Sequence, residues 1–216
     1  MLLKLKNVIS LLENNSNNVL MLSRKHCHTR NVHSIVLKGD FDNRLTRIFL
    51  AQEDHLLWKN LEPNGVYEVG PHTHMYDLSI SCGPDNVRNV IQLEYKKGPG
   101  KFSEELDSYK FYYRLKDKNA KIEPCGKTLI HLTAQKTLDS SYYLVNTTIH
   151  TIGIRKGEKG SWTVQENTPV NQPDHTMLYS NQPAIQTEGL YEPFESVEEI
   201  RSMVSNFFYG KLEDEQ

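Results

Sequence analysis

The chain has 216 residues, 25 basic against 27 acidic side chains, and a formal net charge of -2. This length suits one large β domain that buries a real hydrophobic core. Because the charges are interspersed and nearly cancel, they argue against duplex nucleic acid as a partner, since its phosphates need a concentrated basic surface.

The cysteines and the apolar runs indicate in which cellular compartment the protein is expected. Cys27, Cys82 and Cys125 are odd in number and lack CxxC spacing, which predicts neither a disulfide framework nor a cysteine zinc site. Lys4 and Lys6 interrupt the apolar N-terminus, and no apolar run approaches 20 residues. We therefore expect a soluble, cytoplasmic protein without a membrane partner.

The N-terminal segment, residues 1–31, is predicted to be a helix followed by a linker. The apolar side chains at helical spacing are Leu2, Leu5, Val8, Ile9 and Leu12. The polar run "ENNSNN" then supplies the residues that end the helix.

Residues 32–166 consist of short runs rich in Val, Ile, Tyr, Phe and Thr, separated by Gly, Asn, Asp and Pro. At least nine such runs follow one another without a long helical pattern, among them "HSIVLKG", "LTRIFLA", "VIQLEYKKG" and "IHTIGIRKG". This texture predicts an all-β domain, a sandwich or barrel of antiparallel strands.

Two segments follow the predicted β domain. Residues 167–193 hold four of the nine prolines and little periodicity, which predicts a long irregular loop docked on the body. Residues 194–216 predict an amphipathic helix and an acidic tail, with Ser196 as N-cap, Glu199 completing a capping box and Gly210 as the stop. The loop and helix are also a candidate homodimer contact.

Three histidines are candidates for a common site. His72 and His74 are separated by one residue, so on a strand both imidazoles point to one face. His150 alternates with Ile152 and Ile154, which predicts an inward orientation. An inward histidine needs partners for both ring nitrogens, and a metal with a second hydrogen-bond acceptor would supply them.

The segments "PHTHMYDLSISCG" and "SSYYLVNTTIHTIGIRKG" resemble the two metal-binding motifs of the cupin superfamily, small jelly-roll β-barrels. The resemblance implies a cupin-like antiparallel barrel over residues 32–166. It also implies that His72, His74 and His150 bind a divalent transition metal, Fe, Mn, Ni or Zn. Leu78 or Ser79 stands where a cupin has its glutamate, so the ligand pattern is most similar to that of three-His cupins.

The resemblance implies a metal-dependent enzyme that acts on a small polar substrate, with a dioxygenase-like oxidoreductase favoured. A hydrolase or isomerase on the same site remains an alternative, because three histidines and water also suit zinc hydrolysis. A non-catalytic barrel that binds a nucleotide or sugar is a second alternative.

Further residues are candidates for parts of this site. His131 is a candidate acid or base, or a further ligand, although a strand histidine that donates to a neighbouring carbonyl is the simpler interpretation. Tyr76 is a second catalytic candidate. The candidate substrate-binding residues are Arg47, Arg88 and Trp58. Asp77 is the carboxylate nearest the HxH pair but has the wrong alternation for the metal face. The triplet "HCH" at 26–28 is interpreted as an exposed linker.

Overall fold

The computed structural model describes residues 5–14, 16–25, 32–39, 44–52, 59–61, 66–68, 70–83, 90–114, 119–155, 158–180 and 192–210. Within these ranges the chain forms three helices and twelve strands. The helices are α1 (Leu5–Asn14), α2 (Ser16–Leu22) and α3 (Val197–Tyr209). The strands are β1 (Val32–Lys38), β2 (Thr46–Gln52), β3 (Lys59–Leu61), β4 (Val66–Glu68), β5 (Asp77–Cys82), β6 (Val90–Lys97), β7 (Ser103–Arg114), β8 (Asn119–Thr137), β9 (Tyr142–Leu144), β10 (Ile149–Arg155), β11 (Lys159–Asn167) and β12 (Thr176–Ser180).

The strands form two antiparallel sheets. The five-stranded sheet has the order β1-β2-β11-β5-β9, and the seven-stranded sheet has the order β12-β7-β8-β6-β10-β4-β3. The predicted all-β, jelly-roll-like architecture with small terminal helices is confirmed. None of the helices in the described ranges has both the length and the apolar character needed to cross a membrane.

The main core lies between the two sheets. Its buried side chains are Val32, Ala51, Leu78, Ile80, Cys82, Val90, Leu138, Leu144, Ile152, Ile154, Trp162 and Val164. The rings of Phe49 and Trp162, which are opposite each other on β2 and β11, stack with centroids 5.3 Å apart. His150 lies on the same face of β10 as Ile152 and Ile154, because alternate residues of a strand point the same way. Since Ile152 and Ile154 belong to the main core, this face is directed toward the five-stranded sheet.

The three helices cover the outer face of the five-stranded sheet. The apolar residues of this second core are Val8, Leu12, Val19, Ile35, Leu37, Ile48, Leu50, Phe194, Ile200, Val204 and Phe207. The predicted cap of α3 is confirmed, since the Ser196 hydroxyl accepts the Glu199 backbone N–H at 3.1 Å. An ion pair of 2.6 Å between Lys25 and Glu199 joins the end of the N-terminal helical region to α3.

Residues 70–74, which we call the bridging segment, connect β12 to β10. His72 exchanges two backbone hydrogen bonds with His150, of 2.9 and 3.0 Å, and the Thr73 N–H donates to the Met177 carbonyl at 2.9 Å. Strands β12, β7, β8, β6 and β10 and the bridging segment therefore form a closed ring. The 167–193 segment contributes β12 to this ring, and residues 181–191 lie outside the described part of the chain.

Candidate metal centre

The three histidines singled out in the sequence converge in the structure. The candidate ligand atoms of His72, His74 and His150 all lie within 4.8 Å of one another. Their ring centroids are separated by 4.7 Å (72 to 74), 5.0 Å (72 to 150) and 4.8 Å (74 to 150). The prediction that these three side chains are positioned to bind a metal ion is confirmed.

Backbone pairing brings the three rings to one face. His72 and His150 are directly opposite each other in an antiparallel pair, so their side chains point to the same side. The backbone N–H of His74 donates to the Asn146 carbonyl at 3.0 Å, which holds His74 beside the turn that leads into β10. The cluster thus lies at the end of the inter-sheet space where β5 and β10 begin.

Asp77 stabilises this end of the sandwich and lies outside the imidazole cluster. One carboxylate oxygen accepts the Asn146 backbone N–H and the other accepts the Tyr143 hydroxyl, both at 2.8 Å. The carboxylate raises the pKa of Tyr143 through this hydrogen bond. Asp77 therefore fixes the turn whose carbonyl holds the backbone of His74.

The hydrogen bonds of the rings indicate which nitrogens can bind a metal. His72 donates from Nδ1 to the Gly70 carbonyl at 2.8 Å, so Nε2 is its ligating nitrogen. The Nε2 atoms of His74 and His150 lie 2.6 Å apart. At that distance they cannot both carry protons, so at most one proton lies between them, and its loss would leave both Nε2 lone pairs free to bind a metal ion.

The donor set fits a divalent transition metal. Imidazole nitrogen is a ligand that zinc, iron, copper and nickel share, and neutral histidine is its metal-binding form. His150 is 2% exposed, and a buried imidazole requires partners at both ring nitrogens. Within the described residues the cluster contains no carboxylate: Leu78 lies in the main core, and the Ser79 hydroxyl accepts from the Asn167 side chain at 3.0 Å.

Two polar residues of β6 contact this region, and the sequence analysis did not identify them. Gln92 places its side-chain nitrogen 2.8 Å from Nδ1 of His150. Glu94 lies opposite His150 on the neighbouring strand. Its carboxylate accepts a hydrogen bond from the Tyr142 hydroxyl and forms an ion pair of 3.3 Å with Lys136. Burial and the Glu94 carboxylate raise the pKa of Tyr142. The available signal was the spacing of Gln92 and Glu94, two polar residues that follow Val90 on one face of β6.

The candidate catalytic residues have the following contacts. His131 lies on β8, where its Nδ1 is 3.0 Å from the Gly98 carbonyl, the contact expected of a strand histidine that donates to a neighbour. Tyr76 packs against the main core, and the Arg44 guanidinium lies 4.4 Å from the centre of its ring. Catalytic roles for His131 and Tyr76 stay predictions.

The candidate substrate-binding residues are only partly within the described chain. Arg47 lies on β2 and forms an ion pair of 3.3 Å with Glu166. A role for Arg47 in substrate binding stays a prediction. Trp58, Arg88 and the "HCH" triplet at 26–28 lie outside the described residues.

Comparison of the chain with models of known protein families, and with curated proteins, found no match.

Proposed function

We propose that the protein is a metal-dependent enzyme of cupin-like architecture that acts on a small polar substrate in the inter-sheet space. His72, His74 and His150 hold one divalent transition metal, and the favoured chemistry is a dioxygenase-like oxidation. The observation that supports this most directly is the convergence of the three imidazoles within 4.8 Å, without a carboxylate among the described residues of the cluster.

The neutral ligand set determines what the metal would bind next. Three imidazoles contribute no negative charge, so the ion keeps its full positive charge at the remaining coordination positions. Those positions favour an anionic oxygen or sulfur group on the substrate, and leave room for a second small ligand. When bound, the metal supplies Lewis acidity and, for iron or manganese, redox chemistry.

The surrounding residues provide the supports that such a site needs. Backbone bonds between His72 and His150 fix two of the ligands to each other, and the turn held by Asp77 fixes the third. Because the ligands are held by paired strands and a short turn, their geometry is set before a metal arrives. We further propose Arg47 as a contact for a substrate anion, since its strand face is directed into the inter-sheet space.

Nitric oxide tests the proposal, because it binds open positions on ferrous iron and serves as a probe for a dioxygen-sized ligand. Wild-type protein loaded with Fe(II) under nitrogen should give an iron–nitrosyl signal by electron paramagnetic resonance. The His72→Ala variant should lose both the bound iron and the signal. The control variant His175→Ala should keep both, since His175 pairs with Asp174 outside the cluster.

Two results would contradict the proposal. Iron-loaded protein without a nitrosyl signal would exclude an oxygenase-type open position. Equal iron content in the wild type and in His72→Ala would place any bound iron elsewhere. Retention of a nucleotide or sugar ligand by the metal-free protein would instead favour a binding module.

A further inference from the structure

We propose that Gln92 is a positioning residue for the metal centre. Its carboxamide donates to Nδ1 of His150 when no metal is bound, and turns over to accept the Nδ1 proton when Nε2 of that ring binds a metal. The inference rests on the proposed function, because it concerns the same three-histidine site.

The contact between the two side chains is direct and shielded from water. The side-chain nitrogen of Gln92 lies 2.8 Å from Nδ1 of His150, and the two residues are 1% and 2% exposed. Gln92 lies opposite Ile152, two residues from His150 on β10, so it shares the face that carries the imidazole. Water therefore cannot easily replace the amide as the partner of Nδ1.

In a given orientation, the Gln92 amide can hydrogen-bond to only one of the two tautomers of the His150 ring. As described, Gln92 donates, so Nδ1 of His150 is an acceptor and the ring proton is on Nε2, directed at His74. A metal at Nε2 requires the proton to be on Nδ1, where two donors would then face each other. A half-turn of the carboxamide removes this conflict by exchanging its oxygen and nitrogen.

Within the described part of the chain, the other end of the amide makes no hydrogen bond that would select one orientation. The side-chain oxygen of Gln92 is buried and has no hydrogen-bond partner among the described residues. Each orientation therefore makes the same bond to His150 and leaves the opposite end of the amide without one. The proton of His150 decides between them, since no described partner fixes the oxygen.

His72 provides a useful contrast. Its Nδ1 faces the carbonyl of Gly70, which can only accept, so its ring has one tautomer whether or not metal is present. His150 differs from His72 because the partner of its Nδ1, the Gln92 amide, can either donate or accept. Gln92 thus retains a hydrogen bond to the ring in both states, which a carbonyl or a carboxylate would not.

The test compares Gln92→Met, which keeps the side-chain length but removes the acceptor, with Gln92→Glu, which retains an acceptor. Gln165→Met is the matched control, because it makes the same change at an exposed position of β11. The affinity for Zn(II) is measured by competition with a chromophoric chelator. The free energy of unfolding of each metal-free variant is measured by urea titration.

We expect Gln92→Met to bind Zn(II) at least about 10-fold more weakly than the wild type, as for other partners of metal-bound histidines. Gln92→Glu should bind at least as tightly as the wild type, and Gln165→Met should be unchanged. Wild-type affinity in Gln92→Met, or a loss in Gln92→Glu as large as in Gln92→Met, would overturn the assignment.

The design separates the two proposals. If the wild type binds Zn(II) and Gln92→Met binds it equally well, the role of Gln92 fails while the three-histidine site stands. If the wild type binds no metal, both fail. Should Gln92→Met not fold, Gln92→Glu carries the test alone, and weaker binding than wild type overturns the role.

Discussion

The Asp77 carboxylate lies only three residues beyond His74, yet it binds a backbone N–H and a tyrosine hydroxyl instead of joining the imidazoles. Asp77 is the first residue of β5, where alternation places it on the face opposite Leu78 and Ile80, which lie in the main core. Nδ1 of His131 likewise donates to the Gly98 carbonyl at 3.0 Å. Both side chains therefore bond to a backbone group outside the imidazole cluster.

Tyr179 provides a test of burial at the residue scale. Burial raises the pKa of its hydroxyl to about 12, and the hydroxyl has no hydrogen-bond partner among the described residues. The Tyr179→Phe variant should therefore be as stable as the wild type at neutral pH, or more stable by up to about 1 kcal/mol. Tyr142→Phe should lose about 1 kcal/mol, since Tyr142 donates to Glu94. Urea unfolding measures both values.

The pH dependence of Tyr179→Phe follows from the direction of the shift. The Tyr179 hydroxyl has a pKa of about 12 in the folded protein and of about 10 in the unfolded chain. Between these two pH values the unfolded chain loses the proton while the folded protein keeps it, so the free energy of unfolding falls as the pH rises from about 10 to about 12. The wild type should therefore lose of the order of 2 kcal/mol more than Tyr179→Phe over that range. Parallel alkaline unfolding curves for the two proteins would show that Tyr179 is not buried as described.

At the scale of elements, the strands were predictable because their side chains alternate and their ends carry turn residues. The run "IHTIGIRKG" became β10, with Ile152 and Ile154 in the main core as predicted. Strand β12 was not predicted, because its five residues lie among prolines and polar residues and its pairing with β7 is remote in sequence. Gln92 was missed for the same reason, since its importance arises from the pairing of β6 with β10.

The α3 cap allows a prediction for one element. Replacing Ser196 with Ala removes the hydroxyl that accepts the Glu199 N–H, which should lower the free energy of unfolding by about 1 kcal/mol. The Ser196→Asp variant restores a capping oxygen and should recover most of the loss. Chemical unfolding measures both, and an equal loss in the two variants would count against the cap. Metal affinity should not change, because α3 packs on the outer face of the five-stranded sheet.

At the scale of the whole molecule, the bridging segment explains why a metal site and the closure of the sheet coincide. Residues 70–74 join β12 to β10, and the same backbone bonds set His72 against His150. The sequence analysis predicted the three ligands from alternation and from the cupin resemblance. It could not predict the ring closure or the contacts of Gln92, Glu94 and Tyr142, which depend on pairing between distant strands.

The central claim is that the three histidines together hold one metal ion. Equilibrium dialysis of chelator-treated protein against Zn(II) or Fe(II), followed by elemental analysis, tests it most directly. We predict about one ion per chain for the wild type and for His175→Ala, and a loss of binding in His74→Ala and His150→Ala. An absence of bound metal in the wild type, or one ion per chain retained in both of the latter variants, would contradict the account.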